Sequence, residues 1–479
     1  MMNLIAAIND FCWGAPQSIL LIVFGLFLTI YFKNPFIKYF SYIKEGLLAK
    51  KKDKQGISGF ASLCVALGNQ VGAGNISGVA TAIALGGPGA LFWMWVTALV
   101  GMASALCETV AGQIFKGKNV LDGTDVGGAP YYIEKGMGLT WLATLYACTH
   151  VAVKAFSSLM VQANTLITNF SNIGGVEIDP LVIGIVVAVI VGAIGFGGAH
   201  RVADASKLIV PFMSLFYVIV SIVIIIMNID RVGAVFVLIF RSAFTPQAAT
   251  GGIFGAGVRA AFQQGVRRGL YSNNAGQGAI PYSMARASVS HPATQGFSAM
   301  LSVVIDTLVI CTCTGLMILL SSDAVLQSGE TAITLARLAI GDHLGVFGQV
   351  FLSISLFLFV LTGILGAFFC GETDVIWLCR NKVHLTKGAI TVFRMVICIS
   401  IVLGSQFNPT EVFEIADFFN IITLTANFFA LAMLHKVSRD CVEDYDRQRK
   451  AGVDNPQWDW SFADRYQQER LSKSHHSKK

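Results

Sequence analysis

The chain predicts an all-α polytopic membrane protein with about 11 transmembrane helices, and three observations carry that reading. First, 54% of its 479 residues are apolar and only 13% charged, with a mean hydropathy of +0.65. A soluble domain averages about 25% charged residues, so most of this chain cannot face water. Second, the apolar residues gather in segments near or above the ~17–25 residues that cross a bilayer as a helix. Third, none of them alternates with the two-residue period of a membrane-spanning strand.

In chain order the segments lie near 16–32, 58–85, 89–115, 139–169, 180–198, 206–228, 246–274, 294–320, 345–371, 388–406 and 412–435. The first lacks the basic flank of a cleavable signal. Most of the 34 lysines and arginines fall on the even-numbered side, including Lys50, Lys51 and Lys52, whereas Arg231, Arg241 and Arg337 mark the other. Basic loops stay in the cytoplasm, which puts the N-terminus outside and the C-terminus inside. The net charge of +6 thus reflects topology, with no folded basic face for nucleic acid.

The second segment is interrupted by LGNQVGAGNISG, residues 67–78, with four glycines and two asparagines. Broken backbone at membrane depth is tolerated only where it lines protein or a water-filled cavity. In secondary transporters such a break holds a small ligand and its coupling ion. A second glycine-rich span, Ala249 to Gly278, suggests another broken helix near 250–257. Two interrupted spans in corresponding positions point to an inverted repeat. With span one (16–32) set apart as an extra N-terminal helix, repeat one covers about 58–228 and repeat two about 246–435. Residues 1–435 then form one transporter domain and 436–479 a cytoplasmic tail. The tail's run SRDCVEDYDRQRK reads as a helix at the membrane surface, and its end, LSKSHHSKK with His475 and His476, as a disordered tail.

Charged residues inside spans are functional candidates. Glu108, near the end of span three, is placed either to cap the loosened backbone of a broken helix or to bind a cation. Asp306, beside Thr307, is either a hard-cation ligand or a polar partner for span seven. Asp417 and Lys154 are expected to pair or snorkel. Cys311 and Cys313, without partner histidines, read as packing. No nucleophile, zinc-protease or Walker motif occurs, so the chain is not expected to be an enzyme. It calls for no cofactor, its partners being an ion gradient, a small solute and the bilayer.

Several blocks resemble the alanine or glycine:cation symporter family: GAGNISGVATAIALGGPGALFWMWVTALVGM (Gly72 to Met102), GGAPYYIEKGMG (127–138), VQAN (161–164), RGLYSNNAGQGAIP (268–281), HPATQG (291–296), IDTLVICT (305–312) and RQRKAGV (447–453). The resemblance spans nearly the whole chain. It implies a 5+5 inverted-repeat (LeuT-type) core, shared with the neurotransmitter:sodium symporters, in a bacterial or archaeal inner membrane. The implied function is sodium-coupled symport of small neutral amino acids such as alanine and glycine. Larger neutral amino acids such as glutamine are the alternative substrate; a cation channel and a transporter-like amino-acid sensor are rivals from other classes.

The same resemblance implies site roles. The backbone N–H groups of Ala73 and Gly74 would hold a substrate carboxylate. One sodium would take the Gln70 carbonyl and Asn75 side-chain oxygen, and a second the Gly68 and Val71 carbonyls with the Thr362 hydroxyl. Thr250, Gly251 and Phe254 would wall the pocket, with Gln162 as a polar member, and Glu108 would brace the second broken helix. The chain departs from the family where NEAG is usual and it reads Asn273-Asn274-Ala275-Gly276. It departs again at Gly363, where a second hydroxyl is frequent, and at Ala367, where a bulkier residue is common. A pocket-facing Ala367 would admit a larger substrate.

Overall fold

The computed structural model describes residues 2–14, 16–48, 56–170, 172–173, 176–245, 257–380, 382–406 and 409–476. Among these, seven helices are long and apolar enough to cross a membrane: Asn3–Lys38 (a run interrupted near Pro16), Gly89–Ile114, Gly198–Met227, Ala293–Leu319, Ala332–Leu378, Val383–Leu403 and Phe413–Lys450. The other expected crossings are built from shorter helices, Gly59–Gln70 with Val79–Gly86, Thr140–Ala152 with Ser158–Phe170, Pro180–Gly195 and Val258–Asn273.

Helix Gly89–Ile114 runs through the interior, and small residues set how closely its neighbours approach. A Cβ on Gly265 would lie 2.4 Å from the Ala90 carbonyl oxygen, and one on Gly89 2.5 Å from the Ala243 nitrogen. Such contacts pack helices where hydrocarbon offers no hydrophobic drive. At the periphery, Leu208, Phe212 and Leu215 of helix Gly198–Met227 face outward, as lipid contact allows. Gly345, at φ 59°, divides Ala332–Leu378 into two helical pieces.

Among the described residues, two of the helices outside the expected spans bear on the packing. Met2–Gly14 precedes the first expected span and lies on Pro409–Lys450, with Asn9 Nδ2 donating to the Glu414 carbonyl oxygen at 2.8 Å. Ile229–Phe244, between the expected spans 206–228 and 246–274, buries Val235, Ile239 and Ala243 and packs on Gly89–Ile114. Helical structure also reaches His476, into the stretch expected to be disordered.

Pro409–Lys450 continues past any membrane thickness and gathers the chain at one end. Glu45 accepts from the Tyr445 hydroxyl and pairs with Arg449 at 3.0 Å, while the Trp458 N–H donates to the Ser290 carbonyl at 3.1 Å. His291 is buried between the rings of Tyr445 and Trp458, with Asp444 3.3 Å from Nε2. Burial, opposed by Asp444, pushes its pKa down to about 4. The unfolded imidazole binds protons below about pH 6.5, so this contribution is present above that pH and is lost as pH falls toward 4. Acidification over that interval is expected to expose the Arg465 and Arg470 sites to trypsin, and His291→Phe to flatten the dependence.

Candidate functional site

Two breaks face each other inside the bundle. The first follows helix Gly59–Gln70, which is capped by the Ser58 hydroxyl accepting from the Ala61 N–H. Val71 is extended, and the chain re-enters helical geometry through a π turn, Gly74–Gly78. The N–H groups loosened here are taken by side chains. Gly72 N–H donates to Asn75 Oδ1 at 2.9 Å and Ala73 N–H to Gln162 Oε1 at 2.7 Å. Gln162 fits because its neighbours lack Cβ atoms: one on Gly72 or Gly363 would fall 2.3 or 2.6 Å from Nε2. Glycine at 363 therefore makes room for the amide instead of supplying a hydroxyl.

The second break lies after helix Val258–Asn273 and before Pro281–Met284. Its turns use Asn274 (φ 56°), Gly276 (φ 84°) and Gly278 (φ 80°), left-handed conformations open to glycine and tolerated by asparagine. Residues 250–256, and with them Thr250, Gly251 and Phe254, lie outside the described residues. Among the described residues a break facing the first one lies at 274–280, at the far end of the glycine-rich span Ala249 to Gly278. Glu108 reaches it: Oε2 accepts from the Gly278 N–H and from Asn427 Nδ2, both at 2.9 Å, and Asn427 Nδ2 also reaches the Gly276 carbonyl at 2.7 Å. Glu108→Ala leaves the Gly278 N–H buried without that acceptor and Asn427 Nδ2 with only the Gly276 carbonyl. It is expected to cost about 1–3 kcal/mol, read as a lower melting temperature in detergent.

Asp306 is fully buried and sits against the first break. Asn75 Nδ2 donates to its Oδ1 at 2.6 Å, and the hydroxyls of Ser272 and Thr307 each donate to Oδ2 at 2.7 Å. No lysine, arginine or histidine among the described residues pairs with it. Ser272 is the member that sequence reading missed. On the far side of the first helix, a Cβ on Gly68 would stand 3.3 Å from Thr362 Cβ. The Thr362 hydroxyl bonds to its own helix carbonyls, Leu358 at 3.0 Å and Phe359 at 3.1 Å, and Val71 is buried.

Between the breaks lies a small cavity walled by the amides of Asn69, Gln70, Gln162, Asn274, Gln277 and Asn420, with Gly74, Ser158, Lys154 and Tyr271. Gln70 Nε2 bridges the breaks, donating to the Asn273 carbonyl at 2.6 Å. Ala367, one turn beyond Gly363, is buried and is not among the residues lining this cavity. Asp417 and Lys154 do not pair. Asp417 binds Arg267 at 2.5 Å and Arg268 at 3.5 Å, on the helix that contributes Ala416 and Asn420 to the cavity. Lys154 instead donates to Asn69 Oδ1 at 3.1 Å.

π turns recur around this site. Asn75 lies in Gly74–Gly78, Lys154 in Val153–Ser157 and Asp306 in Val304–Cys311. Such turns widen a helix by one residue and often accompany function.

The family model described as the sodium:alanine symporter family matches residues 1–459. The chain is 36% identical to "Probable sodium/glutamine symporter GlnT" of Bacillus subtilis, over 94% of this chain and 92% of that one. It is 34% identical to the sodium/alanine symporter AgcS of Methanococcus maripaludis, over 95% and 99%. Among solved structures, MhsT in complex with L-phenylalanine matches with a TM-score of 0.57 at 16% identity, covering 79% of this chain and 89% of that chain, a likeness of fold.

Proposed function

The chain belongs to the sodium:alanine symporter family, and from that premise we propose that it imports amino acids with sodium by alternating access, between two broken helices. It is an all-α, multi-pass membrane protein and not an enzyme. The observation that carries the site assignment is the buried Asp306 held against the first break by Asn75 and Ser272. Carboxylate, amide and hydroxyl oxygens are the ligands a hard cation takes. The first sodium binds there, with the Gln70 carbonyl and Asn75. The second binds between Gly68, Val71 and Thr362.

The substrate carboxylate takes the N–H groups of Ala73 and Gly74, displacing the Gln162 amide oxygen that now caps Ala73. Backbone donors at a half-helix end favour an anion there. A cation beside that anion makes each ligand's affinity depend on the other. Tyr271, Asn274 and Gln277 stand as the second wall, with Thr250, Gly251 and Phe254 contributing to it as the resemblance implies, and Glu108 braces the second break. The N-terminus is outside and the C-terminus cytoplasmic. Of the two substrate readings, alanine or glycine against a larger side chain such as glutamine, the amide-rich walls favour the larger, polar one.

Uptake into proteoliposomes tests this reading. Labelled alanine and glutamine, each with and without an inward sodium gradient and against a panel of unlabelled amino acids, should give saturable, sodium-driven accumulation and counterflow. Sodium current that ignores amino acids would replace the symporter with a channel.

A further inference from the structure

Two grooves open on the outside of the bundle, and their linings differ. One, of about 550 Å³, runs between Trp141, Leu145 and Phe429 and is apolar but for Thr425. The other, of about 510 Å³, lies where helix Val383–Leu403 meets the helices of spans four and nine. Phe156, Leu385, Val392 and Val396 give it an apolar length, and His384 stands at its start on that helix. Phe156, Leu385 and Val392 are exposed, as residues that meet hydrocarbon can be. Gly388 keeps the groove open, since a Cβ there would meet nothing within 4 Å. From His384 to Val396 the helix rises about 18 Å, close to the ~15 Å of hydrocarbon in one leaflet. Lys382 and Lys387 flank His384 and are exposed, and residues 382–406 contain no aspartate or glutamate. The carboxylates packed nearby have partners already: Glu372 has Arg394 at 2.6 Å, Glu134 has Arg380 at 2.5 Å and Asp374 has His150 at 2.6 Å. Among the described residues, neither lysine has an ion pair.

An apolar groove as long as a leaflet, ending in unpaired cations, complements an acyl chain at one end and a phosphate at the other. Basic pockets between helices on the basic side of a membrane protein hold anionic headgroups in this way. We propose that one anionic phospholipid of the phosphatidylglycerol class occupies this groove. Its phosphate meets Lys382, Lys387 and His384, and one acyl chain lies along Leu385, Val392 and Val396. Charge separates this groove from the other, which has similar volume but no basic group in its lining. The lipid also backs the substrate cavity. The π turn Val153–Ser157 lines the cavity with Val153 and Lys154, and the groove with Ala155 and Phe156. The wall between them is one helix thick, so an acyl chain packed on Phe156 limits how far that wall moves outward.

The test offers the full chain, delipidated in detergent, equal concentrations of phosphatidylglycerol and phosphatidylcholine and reads the adducts by native mass spectrometry. The wild type should retain at least fivefold more phosphatidylglycerol. Lys382→Gln with Lys387→Gln should bring the ratio within twofold of parity. Gly388→Phe, whose Cβ has room and whose ring fills the groove, should lower phosphatidylglycerol adducts at least fivefold; Leu145→Phe in the other groove should leave them unchanged. Monodisperse elution of each variant shows that lost adducts are not lost fold. Sodium-driven uptake should run at least twofold faster in phosphatidylcholine vesicles containing one quarter phosphatidylglycerol than in phosphatidylcholine alone, and Gly388→Phe should lose that gain. Equal retention of the two lipids by the wild type, or a preference that survives both the lysine and the Gly388 changes, overturns the site. A dimer that Gly388→Phe dissolves overturns it in favour of a second copy of the chain. A gain from phosphatidylglycerol that is the same in Gly388→Phe overturns the link to the cavity wall. Uptake absent from every vesicle, with the adduct preference intact, overturns the symport reading and leaves the lipid site standing.

Discussion

Replacing Asp306 with asparagine should all but abolish sodium-driven uptake, lowering the initial rate at limiting sodium about a hundredfold. The buried carboxylate accepts from Asn75, Ser272 and Thr307 and supplies the negative charge beside the first break. Asparagine keeps the volume but removes that charge, and it turns an NH2 group toward donors that need an acceptor. Hydrogen bonds to a charged group carry about 1.5–3 kcal/mol each, and about 1.4 kcal/mol is tenfold in binding. Losing the charge alone therefore accounts for a hundredfold. Initial rates measured against sodium concentration check it: the half-saturating sodium rises while the protein still elutes as a single species. A variant with wild-type sodium dependence would remove Asp306 from the cation site.

The second large effect is steric. A Cβ on Gly366 would lie 2.5 Å from Asn69 Cβ, 2.6 Å from its Cα and 3.0 Å from its backbone nitrogen. Two of those atoms are backbone at the edge of the first break, so no rotamer change relieves the clash. Gly366→Val should push helix Ala332–Leu378 away from Gly59–Gln70. That strains the contact between Gly68 and Thr362 as well as the cavity wall at Asn69. Overpacking of this kind costs about 1–3 kcal/mol; transport, which needs both faces in register, should fall more than tenfold. Gly78→Ala is the control, because its Cβ would meet nothing within 4 Å and should leave uptake near wild type. Melting temperature and uptake of the two variants, measured together, separate a local clash from general glycine sensitivity.

Much of this architecture was legible in the sequence because hydrocarbon is an unforgiving solvent. Asn69, Gln70 and Asn75 among glycines in an apolar span have few explanations, and the chain does break there. The second break was harder to read. Glycine density pointed to 250–257, of which 250–256 lie outside the described residues; the turn at 274–278 uses Asn274, Gly276 and Gly278 in left-handed geometry, and an asparagine in that role leaves little trace in composition. Partnerships across the chain were not legible at all. Nothing local says that Asp417 will meet Arg267 instead of Lys154, that Ser272 will reach Asp306, or that Gly363 exists to admit Gln162. Each depends on how helices far apart in sequence rotate against one another.

The π turn at Val304–Cys311 makes chain length itself part of the site. A π turn carries one residue more than the α turn it replaces, so deleting a single residue there would allow a regular helix to close. Closure would turn one end of the span against the other by about 100°. The segment beyond the turn is fixed by Thr312, which accepts from the Trp95 indole at 2.8 Å, and by Thr314, 2.7 Å from the Tyr217 hydroxyl. If those contacts hold, Asp306 swings away from Asn75 and Ser272; if Asp306 stays, the contacts break. A one-residue deletion in this stretch is therefore a harsher change than most substitutions within it, because no side chain can restore the lost phase.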